Sequence, residues 1–155
     1  MTDELEIAFS PPSAGWINIT LQSSAGKLVE SFSYVRPSLT ELCASLCDLG
    51  EGRPARPVVL DLEPDELELR FEPATAGRTT LRVLGFRDQR RGPAADPTTI
   101  LEHEADTRRL VTTFWRALRR LETALPDDEF VRAWRKPFPT AEMKALGVLV
   151  DSWAS

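Results

Sequence analysis

At 155 residues, with 42% hydrophobic and 28% charged side chains, the chain is long enough to bury one core and too apolar to remain disordered. The opening Met1-Thr2-Asp3-Glu4-Leu5-Glu6 shows neither a basic nor an apolar leader pattern, no later stretch reaches the length of a membrane span, and two cysteines four apart make no extracellular framework. Export and membrane association are therefore excluded as expectations, and a cytoplasmic location is expected. The formal charge of −5 is uneven, with 13 acidic and 5 basic residues over 1–76 against 11 and 14 over 77–155, so a phosphate backbone could meet only the C-terminal part and nucleic acid is not an expected partner.

In chain order, Leu5, Ile7 and Phe9 and then Ile17, Ile19 and Leu21 recur at period two, which predicts two strands, with Pro11, Pro12 and Gly15 between them. Ala25-Gly26-Lys27 turns the chain into a third strand over 28–35. Ser38 and Glu41 have capping-box spacing, and Leu39, Leu42, Cys43 and Leu46 follow at helical spacing, predicting a helix over 38–49 that Gly50 or Gly52 terminates. Strands resume through Val58, Leu60 and Leu62, then Leu67, Leu69 and Phe71, then Thr80 to Phe86, with turns at Pro64-Asp65 and Ala76-Gly77.

Residues 88–103 read as a polar loop rich in Arg, Gly and Pro. Helices follow over 104–153: a long one to Leu125, a short one that Asp127 caps, and a last one that Thr140 caps and that runs towards Trp153. Leu110, Phe114, Leu118, Leu121 and Leu125 line one stripe of the long helix, while Arg108, Arg109, Arg116, Arg119 and Arg120 give it a basic back. The expected fold is one α+β domain over 1–155: residues 1–87 form an antiparallel sheet of about six strands with one inserted helix, packed against a C-terminal helical layer.

Chemistry is sparse in this pattern. His103 is the one histidine, expected as a partly exposed residue between Glu102 and Glu104, and no nucleophile elbow accompanies it. Cys43, Cys47 and His103 fall one ligand short of a structural zinc site, and Cys43 sits among core leucines. No catalytic residue, metal or cofactor is expected. Asp61, Glu63, Glu68 and Glu72 occupy polar positions of alternating strands, giving either a solvated face or an acidic platform for a basic partner. Trp16, in the polar register beside Asn18, has the character of a binding anchor. The expected partner-binding set is Trp16, Asn18, Asp61, Glu63, Glu68 and Glu72.

The strand Gly15-Trp16-Ile17-Asn18-Ile19, the helix start Arg36-Pro37-Ser38-Leu39 and the segment Trp134 to Pro139, within a small acidic α+β chain, resemble immunity proteins of bacterial polymorphic toxin systems. That resemblance implies a cytoplasmic protein that neutralises one cognate toxin by occluding its active site, an acidic face suiting a basic cleft. Two other functions fit the sequence: an accessory or regulatory subunit binding a small ligand or protein in a cleft between sheet and helices, and a small enzyme using carboxylates and His103.

Overall fold

The computed structural model describes residues 4–89 and 97–154; Arg90 to Asp96, the centre of the expected polar loop, lie outside them. The seven strands of the described residues form two antiparallel sheets instead of one. Sheet A contains, in spatial order, β1 (Glu6–Phe9), β2 (Trp16–Ser23) and β3 (Gly26–Ser33). Sheet B contains β4 (Val58–Asp61), β5 (Glu66–Pro73), β6 (Arg78–Phe86) and β7 (Thr98–Asp106), again in chain order. The helices are α1 (Ser38–Gly50), α2 (Thr107–Glu122), α3 (Asp127–Trp134) and α4 (Thr140–Asp151).

The expected single sheet is split because α1 intervenes between β3 and β4, which approach each other without a backbone ladder. A side-chain bond crosses the junction instead: Ser33 Oγ donates to Glu63 Oε1 at 3.3 Å. In sheet A, Ile17, Ile19, Leu21 and Phe32 are buried on the inner face, whereas Asn18, Gln22, Val29 and Ser31 are exposed on the outer one, as period-two alternation requires. Gly15 makes the turn into β2 at φ +86°, and a Cβ there would stand 2.8 Å from the Tyr34 ring, so the position admits only glycine without strain.

Ser38 does not form the expected capping box. Its hydroxyl donates to the Val59 carbonyl at 2.6 Å, and the first turn of α1 carries no side-chain cap; buried beside β4, Ser38 satisfies the strand rather than its own helix. The helix ends as expected, with Gly52 at φ +79° donating to Leu49 O at 3.1 Å. Neither Asp127 nor Thr140 caps its helix through the side chain, since each is already the first helical residue behind a proline.

Part of the expected 88–103 loop is strand β7, and α2 starts at Thr107, with Asp106 accepting from Arg109 N at 3.1 Å. In sheet B, Leu67, Leu69, Phe71, Leu81, Val83, Leu101 and His103 are buried on the face towards α2. The expected stripe closes over that face: Leu110, Phe114, Leu118 and Leu121 are at most 1% exposed, and Phe114 meets Phe71 edge to face at 5.6 Å. On sheet A, Trp134 of α3 meets Phe32 in the same way at 5.6 Å. One hydrophobic core joins both sheets and all four helices. No helix of the described residues is long and apolar enough to cross a membrane.

Candidate functional site

The six residues expected to form one contact face are divided between two sheets. Trp16 and Asn18 lie on the outer face of sheet A, Trp16 half-buried and Asn18 exposed with its Oδ1 accepting from Ser31 Oγ. Asp61 and Glu63 flank the β4–β5 turn, where Asp61 Oδ1 accepts from Glu63 N at 2.9 Å. Glu63 is exposed and Glu72 half-buried, but Asp61 and Glu68 are each only 6% exposed, which corrects the expectation of a solvated acidic face at those two positions. Glu68 belongs to an interior strand with Val59 and Leu84 beside it, and Arg70 Nε donates to its carboxylate. Elsewhere on that face Arg82 binds Glu72 at 3.2 Å and Glu102 at 2.9 Å, and Arg78 binds Glu104 at 2.8 Å. The outer face of sheet B is thus a mixed-charge lattice.

A concavity of about 580 Å3 opens where the end of α1, the β5–β6 hairpin and the start of α2 converge. Three contacts fix its frame. Thr107 N donates to Gly77 O at 2.9 Å, the Thr79 and Thr107 hydroxyls share a 2.7 Å hydrogen bond, and Arg53 N donates to Asp48 O at 2.8 Å. Leu49, Pro54, Ala55, Phe71 and Pro73 supply apolar walls, and Arg53, Arg78 and Arg108 supply cations.

The two carboxylates of the lining are already engaged, Glu72 by Arg82 and Asp106 by the Arg109 N–H. Arg53 is clamped by Asp48 at 2.8 Å and by Glu51, whose hydrogen bonds raise its pKa further. Arg78 is held by Glu104. Arg108 has no carboxylate partner among the described residues and lies 5.3 Å from the centroid of the Trp153 ring.

Behind Arg108 a separate groove runs between β1 and α2, comprising adjoining volumes of about 500 and 370 Å3 that share Leu5, Thr113 and Arg116. His103 lines its larger end and is 5% exposed, not at the surface as expected, because β7 turns it inward opposite Leu81. Glu4, the sole carboxylate among the described residues lining that end, is bound to Arg109 at 2.8 Å. The basic back of α2 is present, with Arg108, Arg109, Arg116, Arg119 and Arg120 all exposed.

Cys43 is fully buried in α1, and burial pushes its thiol up to about 12; Cys47 is half-buried and raised for the same main reason. Both are free thiols. Among the described residues no three His, Cys, Asp or Glu side chains converge as a metal-binding group.

Sequence reasoning did not assemble this cleft because its lining comes from four separated segments. One local signal pointed to it. Arg108 and Arg109 stand in the first turn of α2, where no acidic residue is present and where the macrodipole disfavours cations; a broken local rule of this kind marks sites with another purpose. No protein-family model, curated protein or solved structure matches this chain.

Proposed function

We propose that this chain is a non-enzymatic binding protein, an accessory or regulatory subunit, whose ligand site is the cleft between α1, α2 and sheet B. The observation that carries the reading is the pairing of apolar walls with a guanidinium that lacks a carboxylate partner among the described residues, in a volume of about 580 Å3. That size and makeup suit a small molecule with an apolar body and one anionic group. The body would lie on Phe71, Leu49 and Ala55, and the anion would reach Arg108, whose planar fork suits carboxylate or phosphate.

The fluorescent probe anilinonaphthalene sulfonate has this chemistry and tests the site. One equivalent binds wild type, Arg108→Glu weakens it by at least about tenfold, and Ala55→Trp, which fills the cleft, abolishes it. Unchanged affinity in both variants overturns the assignment.

A second reading keeps the resemblance to toxin-neutralising immunity proteins. Its supporting observation is exposed apolar surface at one end of sheet A, where Tyr34, 38% exposed, and Val35, 54% exposed, follow the strand paired with Trp16, Tyr34 N donates to Gly15 O, and Lys136 Nζ lies 5.9 Å from the Tyr34 ring. Under this reading Trp16, Asn18 and the exposed Glu63 remain contact residues, while Asp61 and Glu68 support the fold. Capture of one stoichiometric partner by wild type and not by a Trp16→Ala/Tyr34→Ala variant supports it; equal capture by both rejects that surface.

A further inference from the structure

We infer that the groove between β1 and α2 is a second binding site, independent of the cleft, and that it takes an extended acidic peptide segment. Three observations carry this. β1 is an edge strand of sheet A, paired among the described residues with β2 alone. The Ile7 carbonyl points to the open side, where Arg120 donates to it at 3.5 Å, the one hydrogen bond made to that edge among the described residues. Such an edge offers backbone groups to an added strand.

The opposite wall is cationic. β1 and α2 run alongside each other, with Glu4 on Arg109 and Ile7 beside Arg120. Arg109, Arg116 and Arg120 therefore follow the strand edge over roughly 16 Å of helix, the length of about five extended residues. Among the described residues, Arg116 makes no ion pair and the Arg120 guanidinium has only its long bond to Ile7 O. The Glu4–Arg109 pair at 2.8 Å shows the geometry in which a carboxylate meets this row.

Peptide is favoured over a phosphate backbone by the open backbone edge of β1 and by the apolar part of the groove lining, exposed Ala8 with the rims of the buried Leu5 and Ile7, beside Glu6, the single carboxylate there among the described residues. Side chains alternating acidic and apolar would set one row on the arginines of α2 and the other on the outer face beside Ala8. No run of aromatic rings suited to stacking bases lines it.

Fluorescence anisotropy with a labelled peptide of alternating Glu and Val, about ten residues long, tests the inference, with a Lys/Val peptide and oligothymidylate as comparisons. The Glu/Val peptide binds wild type, and Arg116→Glu/Arg120→Glu weakens it by about tenfold or more with melting temperature unchanged. N-methylation of alternate peptide nitrogens weakens it as well, since strand addition needs those donors. Ala55→Trp leaves this binding intact, which separates it from the cleft. Absence of binding at about 1 mM peptide, or oligothymidylate binding more tightly and lost in the same double variant, overturns the proposal.

Discussion

The guanidinium of Arg108 lies 5.3 Å over the ring of Trp153, and this pair is the partition between the cleft and the groove, since Arg108 lines both. The same ring packs against Gly50, where an added Cβ would stand 3.0 Å from it and 2.7 Å from Leu149 Cδ2. Trp153→Ala removes a cation–π contact and apolar cover together and lowers stability by about 1–3 kcal/mol in urea titration. Gly50→Ala, despite its helix propensity gain of about 1 kcal/mol, is a net destabilisation, because ring and leucine must both give way.

Glu68 and Glu72 sit four residues apart on one strand face, with Arg70 between them, and differ in burial, so charge reversal separates them. Glu68→Lys places a second cation beside Arg70 in a buried position and costs about 2–4 kcal/mol, the lower end reflecting the partial exposure of Arg70. Glu72→Lys disturbs a half-exposed pair with Arg82 and costs at most about 1 kcal/mol. Denaturant midpoints of the two variants check the difference.

Leu118→Ala leaves a cavity under a side chain with no exposed surface. The loss is about 2–5 kcal/mol by chemical denaturation, and a smaller change would mean that the stripe of α2 is not packed on the sheets.

Stability falls at alkaline pH. Burial raises the folded-state pKa of Cys43 from 9.0 to about 12, so above pH 9 the unfolded chain releases a proton that the folded chain retains. That favours unfolding progressively between pH 9 and 12, and the contribution is fully present below pH 9. Cys43→Ala flattens this slope in urea titrations across the range. In thiol labelling of wild type near pH 8, Cys43 reacts only as fast as the protein opens, because the thiolate is the reactive form.

Whereas β3, whose inner face includes Glu30, was placed by the turn before it, strands with clean alternation of large hydrophobic and polar side chains were legible, as in β1, β2 and β5. β7 was not, because its inward set is Leu101, His103 and Ala105 between outward Glu102 and Glu104, and only one of the three is a large hydrophobe. Reading His103 as exposed followed from the same gap. Glu68 was misplaced for another reason: alternation gives the face of a residue but not whether neighbouring side chains roof that face, and Arg70 with Leu84 does so here. The arginine row of α2 was readable from helical geometry alone. Its opposition to a strand edge was not, since that depends on which strand ends the sheet.

The excursion through α1 leaves the two ladders with no shared backbone hydrogen bond, while their side chains belong to one core. Cooperativity is therefore carried by packing and not by the amide network. The expected outcome is concerted global unfolding with native-state hydrogen exchange in which amides of the short β1 edge exchange before those of the interior strands β5 and β6; equal protection of β1 and β5 would overturn it. The strand proposed to receive a peptide is thus one held by a single ladder, so an incoming strand would supply it with a second.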